Sequence, residues 1–149
     1  MLNKTKTVFT IGYGNSAPED FLKRLKDAGV TWIFDLRREG SRAWNGKYSH
    51  GVKMEALLAH VAIGYSMEVG LGNHFGSVVE YRDWLKSDDG KEAVEHLSKA
   101  FDAGLELETP CLLCAERHPW SAGLPNCHRV HVADALVKLL GEEWTVWHI

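Results

Sequence analysis

Short apolar runs alternate with helical segments along this chain, and that alternation limits the fold more than any other feature of the sequence. Apolar strands separated by helices are typical of a parallel sheet with helices covering both faces. We therefore predict an α/β fold over residues 1–149, a single three-layer domain with a mainly parallel sheet of about five strands. The predicted strands are Val8–Ile11, Trp32–Leu36, Ile63–Val69, Cys111–Ala115 and Trp144–Ile149.

Capping and stop signals mark the helices between these runs. Ser16 with Glu19, and Ser77 with Glu80, have the spacing of a capping box, in which the serine hydroxyl accepts a backbone N–H of the first turn. Asn126 is a favourable N-cap for the last helix. The predicted helices are a first one that ends at Gly29, a second through Tyr81–Lys86, a third over Lys91–Ala103 and a last over Cys127–Leu140.

Composition and charge exclude several classes of protein. The net charge of −3 gives no general attraction to nucleic acid or anionic membranes, so any phosphate must be bound by local arginines. No apolar run approaches the ~20 residues of a membrane-spanning helix, and the N-terminal segment lacks the apolar stretch of a signal peptide. Three cysteines without a disulfide spacing pattern fit a reducing compartment. We expect a cytoplasmic protein with no membrane partner.

Polar residues follow the first two predicted strands, at the edge of the sheet where α/β proteins bind ligands. Tyr13 lies in the turn after the first strand. Asp35 and Arg37 are two residues apart and share one face of the extended chain, either as an ion pair that stiffens the strand end or as functional groups. Ser41 and Arg42 lie on the next loop, where Arg42 is either a bidentate ligand for phosphate or a solvated charge.

The fourth strand and the last helix add two thiols and a carboxylate to the same edge. Cys114 and Glu116 share one face by the period of two, whereas Cys111 points the opposite way and is interpreted as a buried apolar residue. Cys127 begins the last helix, where the positive end of the helix dipole favours a thiolate. It also extends the apolar stripe of that helix, so packing is the alternative.

His128 and Arg129 come next along the last helix, as a candidate proton carrier and a candidate anion ligand. Adjacent helical residues do not face one another, so Cys127 and His128 do not form a self-contained dyad. Zinc is another interpretation, because Cys114, His118 and Cys127 with a further histidine are suitable ligands. Their spacing matches no standard zinc finger, and we predict neither a metal nor a cofactor.

The motifs taken together resemble an uncharacterised family, the domain of unknown function 488. The resemblance extends over nearly the whole chain and is most specific in Cys114-Ala115-Glu116 followed by Cys127-His128-Arg129. The sequence departs from the family where many relatives have His-Ser after Gly12, and in the longer segment between the two motifs. The resemblance implies a single α/β domain with a polar site formed by Tyr13, Asp35, Arg37, Ser41, Arg42, Cys114, Glu116, Cys127, His128 and Arg129.

These residue types favour an enzyme that acts on a phosphate-bearing substrate, a nucleotide or a nucleic acid. Three arginines would bind the anion, Glu116 or Asp35 would act as acid and base, and Cys127 would be the nucleophile. The arginines in this hypothesis are Arg37, Arg42 and Arg129. The alternatives are a binding or sensing module without turnover, in which the same arginines hold a nucleotide-like ligand, and a structural zinc site.

Overall fold

A parallel sheet of five strands forms the centre of the structure, a computed structural model that describes residues 6–102, 109–125 and 127–149. These strands are β1 (Lys6–Gly12), β2 (Trp32–Asp35), β3 (Gly64–Met67), β4 (Pro110–Cys114) and β7 (Trp144–His148). Along the chain, two short strands come between β4 and β7 and form a separate antiparallel pair, β5 (Trp120–Ser121) and β6 (Leu124–Pro125). The main sheet has the order β3-β2-β4-β1-β7. The predicted parallel sheet is confirmed.

Helices cover both faces of this sheet, as predicted. On one face Phe21 and Leu25 of α1 pack with Leu57 and Leu58 of α2 and with Ile33 of the sheet. On the other face α3, α4 and α5 bury a second apolar cluster against β1, β2 and β4. The described helices are α1 (Pro18–Asp27), α2 (Val52–Ala59), α3 (Val78–Leu85), α4 (Asp88–Asp102) and α5 (His128–Leu140).

The strand order places the ends of three strands side by side. β4 returns to the sheet between β2 and β1, so that Gly12 of β1 pairs with Cys114, and Asp35 of β2 pairs with Leu113. Because all three strands are parallel, the loops that follow them leave from the same edge. This carboxyl edge carries the motifs that the sequence singles out.

Two of the predicted helix signals have different outcomes. Ser77 caps α3, and its hydroxyl accepts the N–H of Glu80 at 3.1 Å. The prediction for Ser16 is wrong, because Ala17 occupies the N-cap of α1 without a side-chain bond and the Ser16 hydroxyl accepts from Arg24 instead. The predicted cap Asn126 and the predicted end of the third helix at Ala103 lie outside the described residues.

Several elements were not predicted. The helix α2 follows a 3₁₀ turn at Gly46–Tyr48, and the β5–β6 pair occupies a segment that the sequence indicates as loop. The predicted second and third helices correspond to α3 and α4, and α4 begins at Asp88 rather than at the predicted Lys91. Among the described helices, none combines the length and the apolar character needed to cross a membrane.

Candidate functional site

Arg37 is the centre of a buried polar network at the end of β2. Its Nε and Nη2 donate to the two carboxylate oxygens of Asp35 at 2.9 and 2.7 Å. Tyr65 donates its hydroxyl proton to the same carboxylate at 2.6 Å, and Arg37 also donates to the carbonyl of Tyr48. Burial opposes the charged form of Arg37, but the hydrogen bonds and charge of Asp35 outweigh it and raise the pKa of Arg37. The structure shows the ion pair, one of the two alternatives predicted for Asp35 and Arg37.

Aromatic rings enclose this ion pair. The Tyr13 ring stacks on Tyr48 with 4.6 Å between centroids, and the Arg37 guanidinium lies 5.3 Å from the Tyr13 ring. The Tyr48 hydroxyl donates to the carbonyl of Ser16 at 2.8 Å, and burial raises its pKa to about 12. Tyr13 and Arg37 are both 5% exposed. The guanidinium of Arg37 is therefore buried, and it donates hydrogen bonds to acceptors within the protein.

Arg129 is the centre of a second buried network, at the ends of β1 and β4. It is fully buried and donates through Nε to the Thr10 hydroxyl at 3.1 Å and through Nη1 to the Cys114 sulfur at 3.3 Å. The same Nη1 reaches the carbonyl of Glu116, and Nη2 reaches that of Arg117. Burial lowers the pKa of Arg129 to about 10, so the guanidinium keeps its charge at neutral pH.

The Arg129 network depends on two other residues of the sheet. A Cβ on Gly12 would lie 1.6 Å from the carbonyl oxygen of Glu116 and 2.3 Å from Nη1 of Arg129, so only glycine fits there. Thr10 accepts from Arg129, and its hydroxyl oxygen forms a further hydrogen bond of 2.5 Å with Nδ1 of His148. The guanidinium is thereby connected through Thr10 to His148 of the last strand.

A disulfide joins Cys114, the last residue of β4, to Cys127, the N-cap of α5. The two cysteines were predicted as separate thiols, so this pairing was not predicted. Glu116 is exposed, and one of its carboxylate oxygens lies with both sulfurs inside a group no wider than 4.8 Å. Such a group could bind a metal only after reduction of the disulfide. Cys111 is a free, buried thiol on the opposite face of β4, as predicted.

His128 is buried against the side of the network formed by Arg37. Its Nε2–H donates to the carbonyl of Leu36 at 3.0 Å, and its ring lies 4.9 Å from that of Tyr81. Burial is the main cause that lowers the pKa of His128. The neutral form is therefore favoured, with Nδ1 as the unprotonated nitrogen. This side chain fastens the start of α5 to the end of β2.

The loops outside these networks interlock. Gly14 donates its N–H to the carbonyl of Ala115 at 2.7 Å and accepts the indole N–H of Trp44 at 2.5 Å. A Cβ on Gly14 would lie 2.4 Å from Cβ of Arg117, which shows how closely the two loops approach. Arg42 is exposed beside Trp44 in the sequence. The Gly14 turn thus contacts both the Trp44 indole and the loop that contains Arg117.

The predicted site residues therefore fall into three groups. The first contains Tyr13, Asp35 and Arg37, with His128 beside them on the carbonyl of Leu36. The second contains Cys114, Cys127 and Arg129 with Glu116 at its surface. Ser41 and Arg42 lie on the outer loop, where the Ser41 hydroxyl donates to the carbonyl of Arg38 at 2.5 Å. The predicted site did not include six residues that contribute to these networks, namely Thr10, Tyr48, Tyr65, Arg24, Arg117 and His148. A buried hydroxyl or tyrosine at a strand end carries no spacing signal that would have identified it.

Comparison with known proteins gives one match. The family model described as domain of unknown function DUF488 matches residues 17–136, about four fifths of the chain. No curated protein and no solved structure matches it. The match includes both cysteine motifs and ends within α5, and on this basis the chain belongs to the DUF488 family.

Proposed function

We propose that the protein is an enzyme that acts on a phosphate-bearing substrate, a nucleotide or single-stranded nucleic acid, at the carboxyl edge of its sheet. The observation that carries this proposal is the exposed indole of Trp44, which is hydrogen-bonded to Gly14, where the Arg117 backbone and Cβ approach closely. Arg42 is exposed two residues before Trp44 in the chain. A base needs a flat apolar surface for stacking, and its phosphate needs a nearby cation. In this proposal Trp44 supplies the stacking surface, and Arg42 and Arg117 supply the cations.

Trp44 is fixed although it is 63% exposed. Its indole N–H donates to the Gly14 carbonyl, and its ring makes an edge contact with Tyr48, 6.2 Å between centroids. An exposed tryptophan held by such contacts loses little conformational entropy when it stacks on a ligand. This supports a binding role for Trp44.

The anion-binding role belongs to Arg42 and Arg117 in this proposal. The guanidinium groups of Arg37 and Arg129 are buried and donate to protein acceptors, so a ligand would have to displace those bonds. Arg42 is exposed and has no hydrogen bond or ion pair within the described part of the chain. A guanidinium of this kind can bind phosphate bidentately without such displacement.

Glu116 is the acid and base that the geometry favours over Asp35. The Asp35 carboxylate accepts from Arg37 and Tyr65, whereas Glu116 is exposed beside both sulfurs. In the reduced protein the thiolate of Cys127 would attack phosphorus, forming a sulfur–phosphorus bond while Glu116 protonates the leaving oxygen. Glu116 would then take a proton from the water that breaks this bond and releases phosphate.

A binding module without turnover is the second candidate. The burial of both sulfurs and their disulfide favour it, since a bridged cysteine has no nucleophilic thiol. In that case the Cys127→Ser variant binds the ligand as the wild type does. Reduced wild-type protein that binds nucleotide but turns over neither phosphate monoesters nor diesters would select this candidate.

Fluorescence anisotropy with a labelled single-stranded oligonucleotide, and calorimetry with nucleoside phosphates, test the proposal. Loss of base stacking is worth about 1–3 kcal/mol, so Trp44→Ala should weaken binding about 5- to 150-fold. Trp147→Ala is the matched control, because Trp147 is 64% exposed on the edge strand β7. Arg42→Ala should also weaken binding, against Arg82→Ala on α3 as its control. Absence of binding, or equal loss in Trp44→Ala and Trp147→Ala, would refute the proposal.

A further inference from the structure

We propose that Cys114 and Cys127 form a reversible dithiol–disulfide couple, in which Arg129 holds Cys114 as a thiolate once the bridge is reduced. The inference goes beyond the proposed ligand and does not depend on it. It rests on the charge of Arg129, on what surrounds that charge and on the position of the bridge between β4 and α5.

Arg129 is a buried cation among neutral acceptors. Its described hydrogen-bond partners are the Thr10 hydroxyl, the Cys114 sulfur and the carbonyls of Glu116 and Arg117. Within the described ranges no carboxylate oxygen forms an ion pair with it, whereas the other buried arginine, Arg37, is paired with Asp35. An unpaired buried charge is strongly unfavourable. A thiolate at Cys114, whose sulfur lies 3.3 Å from Nη1, supplies the missing negative charge.

The charged groups around the sulfurs come from several elements. Arg129 belongs to α5, Glu116 and Arg117 follow β4, and Arg24 projects from α1, where it donates to the Gly12 carbonyl at 2.9 Å. His128 lies next to Cys127 and is buried in its neutral form. Arg129 is the group in hydrogen-bond contact with a sulfur, so it dominates the electrostatics of the Cys114 thiolate.

Reduction by a dithiol then has a defined order. A thiolate of dithiothreitol attacks the Cys127 sulfur and forms a mixed disulfide, and the Cys114–Cys127 bond breaks with its electron pair on Cys114. The better leaving group is the sulfur with the lower thiol pKa, here the one beside Arg129. The second thiolate of dithiothreitol attacks the mixed disulfide, which releases Cys127 and leaves dithiothreitol as its cyclic disulfide. Cys127 leaves as a thiolate, which exchanges a proton with solvent.

Cys111 provides an internal comparison on the same strand. It is separated from Arg129 by the sheet, and burial raises the pKa of its thiol. It should therefore remain protonated and take no part in exchange. Replacing it with serine leaves a protein whose thiol chemistry belongs to the couple alone.

The test equilibrates folded Cys111→Ser protein with mixtures of reduced and oxidised dithiothreitol at neutral pH, without nucleotide. Acid quenching, alkylation and mass spectrometry then give the reduced fraction. We expect reversible conversion of both cysteines together, with unchanged circular dichroism. A bridge that resists excess dithiothreitol until the protein unfolds would overturn the proposal. So would stoichiometric zinc that binds the reduced protein and prevents its reoxidation.

Substitution of Arg129 tests its role as the positioning charge. Arg129→Met should shift the equilibrium toward the disulfide by at least about tenfold, the effect of one unit in thiol pKa. Arg129→Lys should shift it less, and Arg24→Met should leave it near the wild-type value. Equal positions for all four proteins would refute the role of Arg129.

A second measurement applies if the Arg129 variants do not fold. In Cys111→Ser/Cys127→Ser protein, Cys114 is the remaining thiol, and the ultraviolet absorbance of its thiolate can be followed against pH. We expect ionisation at least one unit below the ordinary thiol value of about 8.5. Ionisation at or above that value would overturn the proposal.

Discussion

At the residue scale, the pair Asp35–Arg37 shows how a buried charge is stabilised by a carboxylate. Asp35 is fully buried and accepts from Arg37 and from Tyr65. Asp35→Asn removes the negative charge but keeps the size, so the Arg37 guanidinium stays buried without its counter-charge. We expect the free energy of unfolding to fall by about 3–5 kcal/mol.

Urea denaturation followed by circular dichroism measures this change. Asp27→Asn is a suitable control, because Asp27 forms an exposed ion pair with Lys23 on the surface of α1. Exposed pairs of this kind contribute little to stability. A comparable loss in both variants would show that burial of the Asp35–Arg37 pair is not what makes it important.

The burial of His128 predicts how the stability of the protein depends on pH. Its folded pKa is lowered, chiefly by burial, whereas in the unfolded chain it takes up a proton near its ordinary pKa of about 6.5. The unfolded state therefore binds more protons below that pH, and stability falls as the pH decreases from about 6.5. Burial lowers the pKa of His131 and His148 in the same direction, so they add to the slope.

His128→Gln separates the contribution of His128. Glutamine can still donate to the Leu36 carbonyl but does not titrate, so the loss of stability between neutral and acidic pH should be smaller than in the wild type. His60→Gln, at an exposed position after α2, serves as the control. Denaturation curves recorded across this pH range give the slopes, and an unchanged slope in His128→Gln would contradict the assignment.

At the scale of elements, sequence signals predicted the helix caps and strands that depend on contacts between residues close together in the chain. The hydroxyl of Ser77 caps α3 as its spacing indicates, but the hydroxyl of Ser16 is taken by Arg24, a tertiary partner that no local pattern reveals. The strands were found because continuous apolar runs mark buried parallel strands. The helix α2 has an irregular apolar pattern and follows a glycine in a left-handed conformation, Gly51, so its start lacks the usual capping signal.

The close packing around Gly12, at the end of β1, leads to a prediction about stability. A methyl group there would collide with the Glu116 carbonyl and with Arg129, and both are held by the packing of β4 and α5 against β1. Gly12→Ala should therefore destabilise the protein by more than about 2 kcal/mol. The control is Gly76→Ala, since nothing lies within 4 Å of the position that its Cβ would occupy. Equal unfolding midpoints for the two variants would exclude the close approach at Gly12.

At the scale of the whole molecule, the candidate site was predicted by location but not by orientation. The positions of Asp35, Arg37, Cys114 and Arg129 at strand ends and at a helix start predicted that they lie at one edge of the sheet. These positions did not predict that the guanidinium groups of Arg37 and Arg129 turn inward, because a charged side chain at such a position can point either way. That direction depends on the strand order, in which β4 lies between β2 and β1, and on acceptors such as Thr10 that come from distant positions in the chain.

The same edge connects the redox state of the bridge to the stability of the fold. The two cysteines are 13 residues apart, and closing a loop of about this size stabilises a protein by about 3 kcal/mol relative to the open chain. A Cys114 thiolate held by Arg129 stabilises the reduced folded form as well. The oxidised and reduced proteins should therefore differ in free energy of unfolding by clearly less than about 3 kcal/mol.

Urea denaturation of the Cys111→Ser protein with and without dithiothreitol measures this difference. The same protein carrying serine at positions 114 and 127 as well controls for effects of dithiothreitol itself, and its stability should not change on adding the reductant. A difference of about 3 kcal/mol or more would mean that the bridge acts as a cross-link alone, with no stabilisation of the reduced form. A smaller difference that rises to about 3 kcal/mol when Arg129 is replaced with methionine would trace that stabilisation to the guanidinium beside Cys114.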